Sequence, residues 1–306
     1  MKSQSLWKFG GLTPLRLTRM GVKKMGEDEL STRASSLSYY FLLALFPMFV
    51  FLLSIVGLLA QAGSQLRDRI MVTLSQLAPG SASDLVHQVV SQTLLHSTGL
   101  KLAGGVLGAL WAASGGMGAI ITSLNVIYRT PETRSIVKQK FTVLGLTLGL
   151  ALLMILALVL AIFGGQIGQF IANHVGLGMV FRIAWKILQW PVMFGAMLLS
   201  YSLVYYWGPN LEERKWHWVT PGASAGVAMW LIASLGLRVY LHFFNSYSAT
   251  YGSLGAVVIL MLWLYITGFA ILVGGEVNWV IENEDKKAAE FEAKRDDLQR
   301  KLDAAA

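Results

Sequence analysis

The chain has 306 residues, of which 55% are hydrophobic and only 14% are charged, and its mean hydropathy is +0.55. Soluble globular proteins carry about 25% charged residues, so this composition disfavours a soluble enzyme and excludes a disordered chain. The absence of cysteine excludes a disulfide framework, a thiolate metal site and a cysteine nucleophile.

The N-terminal segment, residues 1–36, is basic and polar. It holds seven of the 25 Lys and Arg residues and lacks the apolar stretch that is typical of a cleavable signal peptide. We therefore interpret it as a cytoplasmic segment, and we expect the first apolar helix to act as its own uncleaved signal.

Six windows without Asp, Glu, Lys or Arg are each long enough to cross a membrane, because about 30 Å of hydrocarbon requires roughly 20 helical residues. Uniformly apolar runs such as 149–161 favour helices over barrel strands, which alternate in polarity. The sequence therefore predicts an all-α integral membrane protein with a transmembrane domain over 37–280. Its six helices are expected at 37–60, 103–127, 142–170, 187–207, 219–239 and 253–280.

The distribution of Lys and Arg predicts the orientation of these helices. With six spans, both termini lie on the same side. The two tails and the connections on their side carry nineteen Lys and Arg residues. The connections on the opposite side carry six, with Arg238 counted among them. Because cytoplasmic loops carry the excess of Lys and Arg, both termini are predicted to be cytoplasmic.

Two segments outside the spans have helical patterns. In the long external connection 61–102, apolar residues recur at helical spacing on both sides of Pro79, which predicts short amphipathic helices. Packing against the protein is favoured there over lipid contact. The segment 281–306 has i,i+4 pairs of opposite charge that favour a solvated cytoplasmic helix, interpreted as an extension of the sixth helix. A dimer contact through Phe291 and two leucines is the less favoured alternative.

Several polar or kinked positions inside the spans are candidate functional residues. A carboxylate within a membrane span is costly unless it is paired or hydrated, so Glu276 is the first of these, and Arg33 is expected to approach it. Snorkelling of Glu276 to the interface is equally favoured. Pro47 is expected to kink the first helix, which suits either a cavity or packing. The other candidates are Tyr39, Tyr40, Asn125, Arg238 and Asn278.

Small residues four apart form ridges on three helices. They comprise Gly104 to Gly116, Gly164 with Gly168, and Gly222 with Gly226. Such ridges allow close helix packing in lipid. Packing within one subunit is favoured, and a homo-oligomer along one ridge is left open.

Enzyme signals are weak in this sequence. The segment Gly222–Gly226 matches the GxSxG pattern of serine hydrolases, which works on a strand-to-helix elbow. Here it follows Pro221 at the start of an apolar helix, so a membrane-embedded hydrolase is the least favoured function. The five histidines show no metal-ligand spacing. No cofactor, no metal and no nucleic-acid partner are expected.

Several segments occur together, in order, along nearly the whole chain. They are Ser36–Pro47, Trp111–Gly116 with Leu124, Asn125 and Tyr128, Tyr206–Asn210, Pro221–Ala223 with Trp230, Tyr251–Ala256, Trp263–Tyr265 and Gly274–Asn278. This set resembles the YihY/BrkB family of bacterial inner-membrane proteins. One departure is Gly275, where the family has alanine before the glutamate.

The resemblance implies six spans with both termini cytoplasmic, and it adds Asn210, Tyr251 and Gly252 to the candidate positions. Members of that family are associated with virulence and envelope lipid handling. Some carry the label ribonuclease BN, but this chain shows no nuclease metal ligands, and the family offers no established catalytic residues. The predicted function is non-enzymatic transport or handling of a lipid-like, amphipathic envelope substrate, with membrane lipids as partners. The features that favour it are the kinked first helix, the polar groups within the spans, Glu276 and the outer amphipathic segment. A membrane scaffold for envelope assembly is the alternative.

Overall fold

The computed structural model describes residues 6–45, 99–175, 179–212, 216–243 and 253–305. The described residues are helical or in turns, with no strand among them. After a short 3-10 helix, Leu6–Gly11, the helices are α1 (Pro14–Glu27), α2 (30–45), α3 (Gly99–Ile127), α4 (Ile136–Val175), α5 (Met179–Trp207), α6 (Pro221–Phe243) and α7 (Ser253–Ala305).

Five of these helices are long and apolar enough to cross a membrane. The qualifying stretches are Leu110–Ile127, Ile136–Ala157, Phe181–Trp207, Pro221–Leu241 and Val257–Arg295. Large apolar side chains on the outside of α4 and α5, such as Leu152 and Ile187, are well exposed. A soluble protein rarely exposes so much apolar surface, so these faces suit contact with lipid.

The helices are longer than the sequence predicted, because a helix need not end where the hydrocarbon ends. The helix predicted at 37–60 begins at residue 30, and its part beyond residue 45 lies outside the described residues. Three others begin four to eight residues before the predicted positions 103, 142 and 187. The helix predicted at 219–239 runs from Pro221 to Phe243. The predicted helices 253–280 and 281–306 form one continuous helix, α7.

The N-terminal segment contains a helix that the sequence analysis did not predict. Thr13 caps α1, since its hydroxyl oxygen accepts a hydrogen bond from the backbone N–H of Arg16, and Pro14 occupies the first turn. Before it, Gly10 has a φ of +59° and lies against the backbone of α7, where a Cβ would be 2.9 Å from the carbonyl oxygen of Ile281. The turn at Gly10 therefore packs on the charged end of α7.

The chain divides into two compact units. The first comprises Met1–Ser35, Ile120–Gly236 and Ile266–Ala306, and the second Ser36–Ala119 and Leu237–Tyr265. In the first unit, Ile121, Leu124 and Leu272 are fully buried. In the second, Phe41 packs on Gly116.

Two helix pairs in the first unit pack through the predicted glycine ridges. Gly164 and Gly168 on α4 receive Gln189 and Trp185 of α5, and the Trp185 indole N–H donates to the carbonyl oxygen of Gly164 at 2.6 Å. On α6, Gly222 contacts the backbone of Gly274 on α7. These two ridges are used inside one chain, as favoured from the sequence.

Candidate functional site

Two carboxylates are buried where the turn after α1 meets α7. Glu276 has no exposed surface, and Asp28 is 7% exposed. The side chains are close enough for a hydrogen bond between them. Arg129 approaches from the turn after α3, with its Nη2 atom 3.3 Å from Oδ1 of Asp28. The first unit therefore contains an acidic pair with one arginine at its side.

Cationic side chains and an indole ring enclose this pair. The guanidinium of Arg129 lies 4.9 Å from the centre of the Trp279 ring, and the ammonium of Lys24 lies 5.5 Å from it, within cation–π range. Lys24 also hydrogen-bonds Glu27, which holds the pKa of that carboxyl below its ordinary value. Glu27 also lies 3.8 Å from Lys23 and 3.9 Å from Arg129, so three cations share this carboxylate.

The backbone of Arg129 is held in an uncommon conformation. Its φ is +55°, in the left-handed region that few non-glycine residues occupy. Arg129 follows the last turn of α3, where its N–H donates to the carbonyl oxygen of Val126 at 3.0 Å and the N–H of Thr130 donates to that of Asn125 at 2.9 Å. These two bonds form a common helix C-terminal cap, so the left-handed conformation is that of a helix end.

A second polar network joins the end of α3 to the end of α5. Asn125 donates from Nδ2 to Glu132 at 2.9 Å and accepts from the backbone N–H of Asn210 at 2.8 Å. Arg134 donates to both carboxylate oxygens of Glu132, at 2.7 and 2.6 Å, and also to the carbonyl oxygen of Gly208. The hydrogen-bonded Arg134 lowers the pKa of Glu132 to about 2. This network is well satisfied and positions helix ends.

Asn278 serves to cap a helix. Its side-chain oxygen accepts from the backbone N–H of Gly222 at 2.8 Å, and its Nδ2 donates to the hydroxyl of Thr220 at 3.0 Å. Thr220 in turn accepts from the N–H of Ala223. These bonds satisfy N–H groups that the first turn of α6 leaves free.

The GxSxG segment lies in that first turn. Ser224 donates its backbone N–H to the carbonyl oxygen of Thr220, as in a helix. This is a helix start, whereas the hydrolase motif requires a strand-to-helix elbow. The geometry therefore gives no support to the hydrolase interpretation.

An open cavity of about 420 Å³ lies beside both polar clusters. Its wall is made by the end of α3, the turn that follows and one residue of α4. The lining residues are Thr122, Asn125, Val126, Arg129, Thr130, Pro131, Glu132 and Gln139. The cavity thus combines Arg129, the carboxylate of Glu132 and hydroxyl or amide groups with apolar surface from Val126 and Pro131.

The expected ion pair between Arg33 and Glu276 is not among the ion pairs of the described residues. Arg33 donates from Nε to the backbone carbonyl oxygen of Asp28 at 2.9 Å. The charged groups that act on Glu276 are Asp28, Arg129 and Lys24. The physical reason is that the Arg33 side chain bonds to the backbone of the turn after α1, while the Asp28 side chain lies beside Glu276.

The remaining candidates do not join these clusters. Tyr39 and Tyr40 are exposed on α2 with ring centres 5.8 Å apart, and Arg238 is exposed on α6; all three belong to the second unit. Pro47, Tyr251, Gly252 and most of the predicted loop helices of 61–102 lie outside the described residues.

The partners of the predicted site residues all lie outside the apolar windows. Arg129 and Arg134 contribute only to the count of Lys and Arg, and Asp28 and Glu132 have no part in the sequence prediction. The Thr13-Pro14 pair was an available signal, since it is typical of a helix start. It would have placed Asp28 at the end of a short helix.

The described residues contain no group of three or more His, Asp or Glu side chains arranged to hold a metal ion. The chemistry available at the clusters is therefore that of paired charges, hydrogen-bond donors and one buried acidic pair.

Comparison with known proteins identifies the family of this chain. Residues 22–299 match the family model for virulence factor BrkB. A ribonuclease-like protein, YfkH of Bacillus subtilis, is 35% identical over 84% of this chain and 92% of its own length. UPF0761 membrane proteins of Alteromonas mediterranea and Vibrio parahaemolyticus are 27% and 26% identical, over 87% and 86% of this chain and 88% and 81% of their own. No solved structure matches the chain. The chain therefore belongs to the BrkB family of membrane proteins.

Proposed function

We propose that this protein moves or handles a lipid-like, amphipathic substrate in the bacterial inner membrane without catalysing a covalent step. In this proposal six helices cross the membrane and both termini are cytoplasmic, which is the orientation that nineteen against six Lys and Arg favour. The observation that carries it is the cavity at the end of α3, because its wall is largely apolar, includes Arg129 and Glu132, and lies at the end of an apolar helix.

The cavity suits the polar head of such a substrate. The side chain of Arg129 is 47% exposed, so its guanidinium can serve an anionic group such as a phosphate while it keeps its bond to Asp28. Thr122 and Gln139 add hydrogen-bonding groups. Val126, 37% exposed on α3, supplies the apolar side, and acyl chains would follow the exposed apolar faces of α3 and α4.

A variant whose side chain fills the cavity tests this proposal. In vesicles containing the purified protein, the rate at which a headgroup-labelled phospholipid crosses between leaflets is measured by chemical quenching of the outer label. Val126→Trp fills the cavity and is expected to lower this rate at least fivefold. Val137→Trp is the matched control, since Val137 is exposed on α4 outside the cavity wall, and it should keep the wild-type rate. Equal rates for the two variants would refute a role for the cavity.

A scaffold for envelope assembly is the second candidate. It is favoured by the charged end of α7, where Phe291 is 71% exposed. In that case the reconstituted protein moves no lipid, and Phe291→Ala, but not Val126→Trp, changes the partners recovered by cross-linking in cells. Membrane lipids and a second copy of the chain are the proposed partners, and no nucleic acid is among them.

A further inference from the structure

Three buried carboxylate oxygens receive no hydrogen bond from any described residue. They are Oδ2 of Asp28 and both Oε atoms of Glu276. The other Asp28 oxygen accepts from Arg129. A buried polar atom without a partner costs free energy, and a buried ionised carboxylate costs far more. Because nearly all buried polar groups in native proteins are satisfied, this cluster requires an explanation.

The two side chains are close enough to hydrogen-bond each other, yet two ionised carboxylates can only accept. A single proton removes this conflict, because it turns one carboxyl group into a donor for the other. Carboxyl groups that share a site cannot both ionise easily, which is the general behaviour of such pairs.

The charges around the pair agree with one proton. Among the described residues, Arg129 is the cation ion-paired with Asp28, and its Nη2 atom also lies 3.9 Å from Glu27, to which Lys23 and Lys24 are paired. One added proton makes the group of Asp28, Glu276 and Arg129 neutral. Tyr128, at the end of α3, also faces Glu276, and Glu282 on α7 faces Tyr128.

We propose that Asp28 and Glu276 form a proton-binding site in which the two carboxyl groups share one proton in the folded protein at neutral pH. Asp28 ends α1, and Glu276 lies on α7. Release of the proton leaves two negative charges against one guanidinium, which favours separation of the two side chains. The packing of α1 on α7 is thereby linked to pH. This inference does not depend on the identity of any transported substrate.

The first test is the pH dependence of unfolding in detergent micelles. In the unfolded chain both carboxyls are ionised above about pH 5, so the folded state holds one proton more. Stability therefore falls as pH rises, and the unfolding equilibrium constant should increase tenfold for each unit between about pH 5.5 and 7.5. Glu276→Gln keeps the shape and gives Asp28 a permanent donor, so it should lose this dependence.

The matched control is Glu290→Gln, which makes the same change at an exposed position of α7. It should keep the wild-type slope, so the difference between the two variants excludes contributions from the five histidines. Equal slopes in the two variants would overturn the proposal. A stabilisation by sodium at constant pH that Glu276→Gln abolishes would also overturn it, because the site would then hold a metal ion.

The second test is decided by the wild-type protein, and the variants serve only to assign its signal. The infrared spectrum of the wild-type protein at neutral pH should contain the carbonyl band of a protonated carboxylic acid. The frequency of this band should shift when water is replaced by deuterium oxide. Asp28 and Glu276 are the only buried carboxyl groups among the described residues. Asp28→Asn and Glu276→Gln should each remove the band, and Glu290→Gln should keep it. A wild-type spectrum without the band refutes the shared proton.

Discussion

Replacing Gly222 by alanine is expected to force α6 away from α7. A Cβ at this position would lie 2.0 Å from the carbonyl oxygen of Gly274 and 2.5 Å from the side chain of Asn278. The first neighbour is backbone, which cannot rotate aside. Ordinary contact begins at 3.4 Å, so the two helices must separate by roughly 1 Å at their crossing in a closely packed interior.

The cost has two parts. Overpacking of this kind destabilises by about 1–3 kcal/mol. The same displacement stretches the hydrogen bonds that Asn278 makes with Gly222 and Thr220, at 2.8 and 3.0 Å, and each such bond contributes about 1 kcal/mol. We therefore expect Gly222→Ala to lower the free energy of unfolding by about 2–5 kcal/mol.

The measurement is reversible unfolding in mixed micelles, followed by the fluorescence of the ten tryptophans. Gly236→Ala is the control on the same helix, because a Cβ at Gly236 would meet nothing within 4 Å. It should be neutral or stabilising by up to about 1 kcal/mol, since alanine is the better helix former. A Gly222→Ala protein as stable as Gly236→Ala would show that the close crossing of α6 and α7 is wrong.

Two further predictions concern Glu132 and the topology. The pKa of Glu132 is lowered from 4.5 to about 2, so its stabilising effect is complete above pH 4.5 and is lost as pH falls toward 2. The shift corresponds to about 3 kcal/mol, which solvent screening of this quarter-exposed side chain reduces to about 1–2 kcal/mol. Acid titration of unfolding should show this loss in the wild type but not in Glu132→Gln. Because the chain lacks cysteine, Lys23→Cys and Lys301→Cys provide unique labels at exposed positions. In intact cells both should resist an impermeant thiol reagent and react with a permeant one; reaction of only one with the impermeant reagent would contradict a shared side for the two ends.

The apolar spans could be predicted because their signal is local and large. A window of roughly 20 residues without charge has few alternatives to a membrane helix. Five of the predicted helices accordingly have counterparts among the candidate spans. Their ends could not be read in the same way. Lys138 lies within α4 and Glu282 within α7, because a change of charge marks the edge of the hydrocarbon and leaves the helix free to continue into water.

The partners of Glu276 could not be predicted, because they depend on contacts between distant segments. Asp28 and Arg129 are 101 positions apart in sequence. The expectation that Arg33 would pair with Glu276 used only charge and the predicted side of the membrane. It could not anticipate that α1 ends in a turn that presents a second carboxylate.

The polar residues chosen from the sequence separate into two classes once their hydrogen bonds are known. Asn125 and Asn278 bond to backbone groups or to partners near helix ends, so their buried polar atoms are explained by the fold alone. Glu276 is different, because the fold buries it fully without giving either oxygen a donor. A membrane protein that needed only packing at this position would be more stable with an uncharged residue there, because burial of a carboxylate costs several kcal/mol. The free-energy cost of burying a carboxylate between the turn after α1 and α7 is therefore the strongest reason to look for function at Glu276 and Asp28. The two asparagines, whose hydrogen bonds are satisfied, come second.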